Sequence, residues 1–181
     1  MKPIIFFDDG GVLNSNQLRG EQWNPLIAEF MIEKFGGSQS HWMEANYRAI
    51  IKITEHFMET TNSNSRYLSF TDGHAQECKM WVETMFFGSG LELPPKSKYL
   101  DIMQEADSYV IPKIKSSYPN IIETIKLLHN EGYELNTASG ASERWLKLFL
   151  EPMGISNCFK TVYGMKFFVN LWIMIILFLN I

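Results

Sequence analysis

Residues 4–14 read IIFFDDGGVLN, in which four large apolar residues pass directly into two acids and two glycines. An apolar run of this length, bounded by turn-forming residues, is typical of a short buried strand that ends in a sharp loop. In open parallel sheets the carboxyl ends of the strands border the crevice that binds ligands. The stretch therefore predicts a first strand that carries Asp8 and Asp9 to the edge of a candidate site.

The two acids, Asp8 and Asp9, are not expected to have the same role. Side chains alternate along a strand, so Asp8 and Asp9 should point in opposite directions, and only one of them can face the crevice. A paired acid and base is therefore not predicted. The alternative is that the acids and glycines only mark a turn, because Asp and Gly are common turn residues.

Downstream of this strand the pattern first becomes helical and then alternates. Apolar spacing up to residue 112 predicts helices over 24–35, 40–58, 72–87 and 97–110, the first with Asn24 as its cap and Pro25 in its first turn. A helix over 119–131, a strand over 133–138, a helix over 142–150 capped by Ser142 and a strand over 160–163 follow.

This order of elements indicates an α/β fold. Strands that alternate with helices form a Rossmann-like parallel sheet, and the long helical block is an insertion after the first strand. We expect a core domain made of residues 1–14 and 113–181 and a helical cap domain made of residues 15–112. The core is expected to be incomplete at its C-terminal end.

Composition narrows the class of protein. A chain of 181 residues with 46% hydrophobic and 20% charged residues suits a packed domain and argues against disorder. A net charge of −4 provides no basic field for phosphate backbones, so nucleic acid is not an expected partner. Cys78 and Cys158 are too few for a disulfide framework, and the N-terminal apolar run is too short for a signal peptide. We expect a cytoplasmic protein.

The segment 7–13, FDDGGVL, resembles the first motif of the haloacid dehalogenase-like hydrolases, written Asp-x-Asp-Gly-Thr/Val-Leu. The Gly-Val-Leu end sets the register and makes Asp8 the equivalent of the nucleophilic aspartate. The second family motif, a Ser or Thr at the end of an apolar strand, is matched by Ser139 in LNTASG. The inserted helical block is similar to the cap of members that insert it after the first strand, and the resemblance covers about residues 3–164.

The resemblance implies a hydrolase that acts through a covalent aspartyl intermediate formed on Asp8, with a small, anionic substrate enclosed by the cap. Ser139 and the N–H of Gly140, at the start of the following helix, would hold an oxyanion or phosphoryl oxygen. Backbone N–H groups of the loop at Gly10 and Gly11 would also contact the substrate. Mg²⁺ would be bound by the Asp8 carboxylate and the Gly10 carbonyl. Alternatively, Ser139 only caps that helix.

The chain departs from the family pattern at three motifs. Gly10 stands where the phosphatases have a second aspartate, which leaves phosphatase, phosphonatase and dehalogenase chemistry open. Lys166, or less favourably Lys160, is the candidate for the third-motif lysine, although either can be a solvated surface lysine. The acidic pair of the fourth motif has no counterpart, since no acid follows Glu151. The predicted Mg²⁺ site is therefore incomplete.

These losses keep a second hypothesis open, a non-catalytic, degenerate member that binds a small anion or a protein partner. A receiver-like domain also has early paired acids on a parallel sheet, but the long helical insert argues against it.

The segment 167–181, FFVNLWIMIILFLNI, has no charged residue. Three interpretations of this segment are open. It is sequence that replaces the natural end of the fold, a buried strand or helix of the core, or a segment that associates with a membrane. As a helix its 15 residues would rise about 22 Å, short of a hydrocarbon core of about 30 Å. Loss of the later strands would leave a sheet edge and an apolar face uncovered unless this segment covers them.

Overall fold

The computed structural model describes residues 2–62 and 70–164 of the chain. Lys166 and the apolar segment 167–181 lie outside the described residues. The strands and helices of the described part are, in chain order, β1 (Ile4–Phe7), α1 (Asn16–Phe35), α2 (Gln39–Asn62), α3 (Phe70–Phe86), α4 (Tyr99–Val110), α5 (Ile121–Asn130), β2 (Glu134–Ser139), α6 (Glu143–Leu150) and β3 (Phe159–Gly164). Short 3₁₀ turns occupy Lys96–Lys98, Ile111–Lys113 and Ser156–Cys158.

The described strands form one parallel sheet in the order β1-β2-β3. Phe7 of β1 lies opposite Thr137 of β2, and Ser139 of β2 lies opposite Gly164 of β3. The helical block and α5 connect β1 to β2, and α6 connects β2 to β3. The predicted α/β fold with a Rossmann-like parallel sheet is confirmed.

One face of this sheet carries the hydrophobic core. Buried residues from the loop after β1, from α5 and α6, and from the strands form a single cluster, which contains Leu13, Ile125, Leu135, Leu150, Ile155 and Phe159. Phe7 of β1 adds an edge-on contact with Phe159, with ring centroids 6.1 Å apart. Because each such side chain contributes about 1.5–3 kcal/mol when fully buried, this face supplies most of the cohesion of the sheet.

The strand predicted to be buried, β1, is covered on one face only. Ile5 and Phe7 are partly buried against the core, whereas Ile4 and Phe6 are each 56% exposed. Parallel crossovers are almost always right-handed, so two that proceed in the same direction across a sheet place their helices on the same face. Both α5 and α6 contribute to the one core cluster, so neither covers Ile4 and Phe6.

Helix α1 begins at Asn16, earlier than the predicted start at Asn24, and Pro25 lies inside it. The missed signal is Ser15, whose hydroxyl accepts the N–H of Leu18, the contact that an N-cap residue makes. Pro25 has no N–H, so the carbonyl of Glu21 has no helical donor four residues later. The chain divides into two compact units at this turn, between Glu21 and Gln22.

The first unit contains the residues up to Glu21 together with those from Ile111 onward, and the second is Gln22–Val110. The second unit is helical in its described residues. Its buried Asn46 accepts the indole N–H of Trp81 at 3.0 Å and donates to Asn24 at 3.0 Å, so its amide is satisfied on both sides. Neither Cys78 nor Cys158 forms a disulfide. None of the described helices has the length and apolar character needed to cross a membrane.

Candidate functional site

The candidate site lies at the carboxyl edge of β1 and β2. Asp8 follows the last residue of β1, and Ser139 is the last residue of β2. Because Phe7 pairs with Thr137, Asp8 lies one position and Ser139 two positions beyond the same rung of the ladder. The register therefore places both residues at the same edge of two neighbouring strands.

Asp8 presents an accessible carboxylate. Its side chain is exposed, and Oδ1 accepts the backbone N–H of Asp9 at 2.7 Å. Asp8 has no ion pair with any residue that the structure describes. The hydrogen bond orients the carboxylate, and no cation in the described part of the chain pairs with it.

Asp9 has the opposite environment. It is 1% exposed, and its Oδ2 lies 2.7 Å from Nη2 of the fully buried Arg19. Its Oδ1 accepts the side-chain N–H of Asn14 at 2.7 Å, and the Arg19 guanidinium stacks 4.2 Å from the ring centre of Phe149. The two acids lie on opposite faces, as the alternation along a strand predicts. Asp9 is a structural residue whose charge is balanced.

Asn14 connects this ion pair to the segment that returns from the helical unit. Its Oδ1 accepts the hydroxyl of Ser116 at 2.9 Å, while its amide donates to Asp9. The backbone N–H of Ser15 donates to the carbonyl of Ser116 at 2.7 Å, and that of Tyr118 to Leu13 at 3.2 Å. The loop that carries Asp8 is thus held by Arg19 of α1 and by the segment 116–118.

The geometry of the loop requires a glycine at position 11 and leaves little room for a side chain at position 10. Gly11 has φ +82°, in the left-handed region that side chains disfavour, and its N–H donates to the carbonyl of Asn14 at 2.8 Å. A Cβ on Gly10 would lie 2.8 Å from Oδ1 of Asn16. The N–H of Gly11 therefore donates within the loop, whereas the N–H of Gly10 donates to no acceptor in the described part of the chain.

Ser139 and Gly140 lie in the turn between β2 and α6. The Ser139 hydroxyl accepts the N–H of Ala141 at 3.2 Å and is partly exposed. Ser142, as predicted, is the N-cap of α6 and accepts the N–H of Trp145 at 3.2 Å, so Ser139 does not cap this helix. The placement of Gly140 at the start of α6 is wrong, because the helix begins at Glu143.

Gly164 shapes this turn from the neighbouring strand; the sequence predicts it as the end of that strand but does not indicate this role. It pairs with Ser139, and a Cβ at this position would lie 2.3 Å from the backbone N of Glu143 and 2.5 Å from the carbonyl O of Ala141. Such contacts are far inside van der Waals distance. Only a glycine allows β3 to approach the turn that carries Ser139 and Gly140.

The residues present do not fit a complete Mg²⁺ site. Mg²⁺ requires near-octahedral oxygen ligation, and in the predicted site only the Asp8 carboxylate and the Gly10 carbonyl supply it. The carboxylate of the adjacent residue, Asp9, already forms an ion pair with Arg19. Among the described residues there is no group of three or more His, Cys, Asp or Glu side chains that could hold a metal ion.

A family model described as haloacid dehalogenase-like hydrolase matches residues 4–170. Two solved structures of L-2-haloacid dehalogenase from Xanthobacter autotrophicus, one with chloropropionic acid covalently bound, are 15% identical to the chain with a TM-score of 0.48. The chain is covered over 100% of its length and spans 66% of theirs. No curated protein sequence matches it.

The buried pair predicts unequal effects of two neighbouring isosteric substitutions. Asp9→Asn leaves the Arg19 charge buried without its partner, and we expect it to lower the free energy of unfolding by about 3–5 kcal/mol. Asp8→Asn, at an exposed position, should change it by less than about 0.5 kcal/mol. Urea unfolding followed by circular dichroism measures both values. Equal values for the two variants would contradict the structural role of Asp9.

The close approach of β3 predicts the result of Gly164→Ala. The added methyl group must displace the backbone of the turn between Ala141 and Glu143, which should cost about 1–3 kcal/mol of unfolding free energy. Lys160→Ala, on the same strand, removes only an exposed ion pair worth about 0–1 kcal/mol and serves as the control. Thermal unfolding compares the two, and an unchanged midpoint for Gly164→Ala would show that the turn lies farther away.

Proposed function

Because the chain belongs to the haloacid dehalogenase-like hydrolase family, we propose that its α/β part is a hydrolase core in which Asp8 is the nucleophile. Ser139 and the backbone N–H groups of Gly10 and Gly140 bind the substrate in this proposal. The helical insert, residues 15–112, is assigned as a cap domain by the family resemblance, with residues 1–14 and 113–181 as the core.

The observation that supports the proposal is the difference in environment between the two neighbouring acids. Asp8 is exposed, oriented by one N–H and without a cationic partner among the described residues, while Asp9 is buried and paired with Arg19. A nucleophilic carboxylate must be charged, accessible and fixed in direction. Asp8 meets these conditions, whereas Asp9 is charged but buried and therefore not accessible to a substrate.

The reaction has two steps. An oxygen of Asp8 forms a bond to the electrophilic carbon, and the bond from that carbon to its leaving group breaks, with the electron pair departing on the leaving group. Water then adds to the carboxyl carbon of the aspartyl ester, the alcohol leaves, and Asp8 is regenerated. The second step requires a base for the water proton, and Lys166, the candidate for the family's lysine motif, lies outside the described residues.

The leaving group decides between the reaction types. An alkoxide must be protonated as it leaves, but Gly10 has no side chain at the position of the family's second acid, and Asp9 is held by Arg19. A halide leaves as a stable anion and needs no proton. Family members commonly use Mg²⁺, yet the oxygen donors here do not complete such a site. Displacement of halide from carbon is therefore the type that these residues support best.

We place the anionic end of the substrate at the turn after β2. A carboxylate on the substrate would be repelled by Asp8 and needs donors of its own. The Ser139 hydroxyl, the N–H of Gly140 and the N–H of Gly10 are donors at this edge, and donors fixed in advance lower the cost of bringing two negative groups together. The proposed substrate is a small 2-halocarboxylic acid.

The remaining assignments follow from composition. A net charge of −4 and free cysteines support a protein of the cytoplasm that does not bind nucleic acid. Membrane association of the segment 167–181 is not part of the proposed function.

The second candidate is a non-catalytic member that binds a small anion or a protein partner. It is favoured by the loss of catalytic acids in the loop, since Gly10 has no side chain and Asp9 is neutralised by Arg19. The same donors at Gly10, Ser139 and Gly140 would then hold an anion without turnover.

Turnover of 2-chloropropionate and of p-nitrophenyl phosphate by the full chain, with and without Mg²⁺, separates these candidates. We expect halide release that Asp8→Ala lowers on the order of 10³-fold or more, because the nucleophile is lost. Glu123→Gln, an exposed acid on α5, is the control and should leave the rate unchanged. Unaltered halide release by Asp8→Ala would rule out Asp8 as the nucleophile.

A single turnover in ¹⁸O-labelled water identifies the intermediate. Attack of water on the carboxyl carbon places the label in the Asp8 side chain, which peptide mass spectrometry detects, whereas direct displacement by water labels only the product. If neither substrate is turned over but titration calorimetry shows that phosphate or 2-chloropropionate binds, the non-catalytic candidate is supported.

A further inference from the structure

The face of the sheet opposite the core carries a group of exposed apolar side chains. We call this the open face and define it by Ile4 and Phe6 of β1, Ala138 of β2 and Tyr163 of β3. Phe6 lies opposite Asn136, and Ala138 lies opposite Tyr163, so the four residues belong to the same side of the sheet. Ile4 and Phe6 are each 56% exposed and Tyr163 is 54% exposed.

The open face is continuous. The rings of Phe6 and Tyr163 come from the strands on either side of β2, yet their centroids lie only 6.4 Å apart, so the rings converge over the middle strand. Asn136, on β2 between these strands, is consequently 3% exposed. Contiguous exposed apolar surface of this kind marks an interaction site more often than single exposed side chains do.

At the end where the strands begin, charged groups border the open face, and at the opposite end Asp8 follows β1. At the first of these ends Lys160 donates to Glu134 at 2.5 Å. This hydrogen bond, with a smaller contribution from Asn136, keeps the pKa of Glu134 below its ordinary value, so the carboxylate stays charged at neutral pH. The rest of the defined face presents aliphatic and aromatic carbon, which suits an apolar occupant.

We propose that the open face is a docking surface and that its occupant is the chain's own segment 167–181. The first argument is position. Tyr163 belongs to the open face, Gly164 ends β3 beside it, and only Met165 and Lys166 separate Gly164 from Phe167. Because an extended residue spans about 3.3–3.6 Å, the segment can reach the face without a long connection.

The second argument is chemical match and size. The segment has no charged residue and its only polar side chains are those of Asn170 and Asn180. Its 15 residues would extend about 22 Å as a helix, and a strand of six residues extends about 20 Å, so one pass of the segment can cover the sheet in the direction of the strands.

The third argument is the tether. A covalently attached segment meets its surface at an effective concentration on the order of millimolar, above the micromolar concentration of a second copy or of an unrelated partner. Self-docking therefore prevails over association between molecules at ordinary protein concentrations. The proposal does not depend on the proposed activity, since neither the open face nor the segment includes Asp8 or Ser139.

Trp172 allows a direct test, because it lies in the segment and the other four tryptophans, Trp23, Trp42, Trp81 and Trp145, are buried. Acrylamide quenching of the full chain, compared with Trp172→Phe, reports the exposure of this indole. We expect Trp172 to be shielded in a monomer. A Phe6→Glu, Tyr163→Glu variant should raise its quenching constant severalfold, while Leu127→Glu, at an exposed apolar position on α5, should not.

The wild-type chain provides a second measurement that does not depend on the folding of a variant. Hydrogen exchange of the monomer should show protected amides in residues 167–181, and light scattering establishes the monomer. Fast exchange throughout the segment would overturn the proposal. So would a dimer that Phe6→Glu dissociates, which identifies a second copy as the occupant, or a Trp172 emission shift that requires phosphatidylcholine vesicles.

Discussion

The buried ion pair between Asp9 and Arg19 is the constraint on which the candidate site depends. Both groups are removed from water, so each requires the other, and the loss of either would leave an uncompensated charge in the interior. The pair joins the loop after β1 to the first turns of α1, and Asn14 extends it to Ser116. One acid of the loop is thereby fixed as structure, and the adjacent acid is presented to solvent.

Much of the fold could be predicted because it rests on local patterns. The strand that precedes Asp8, the helix that begins after Ser142 and the strand that ends at Gly164 follow from apolar runs, a capping residue and a terminal glycine. The start of α1 could not be predicted, because Pro25 is compatible with the first turn of a helix as well as with an interior position. Nor could the one-sided burial of β1, since four consecutive apolar residues do not reveal which face is covered.

The site was predictable only where a motif identifies it. Asp8, Gly10 and Ser139 stand at motif positions, and the sheet register brings the two side chains to the same edge. Arg19, Ser116 and Gly164 carry no such signal, because their roles depend on contacts with residues distant in sequence. Ser116 meets Asn14 across 102 residues, and Gly164 is needed only because another turn passes close to it.

The direction in which the strands succeed one another has a further consequence. The strands β2 and β3 follow in order on one side of β1. The other side of β1 is an unpaired sheet edge in the part of the chain that is described. A strand paired with that edge, from this polypeptide or from another, would lie on the opposite side of β1 from β2, so the strand order would change direction at β1. Crevices for ligands open where an α/β sheet has such a topological switch point, and the carboxylate of Asp8 already stands at that position.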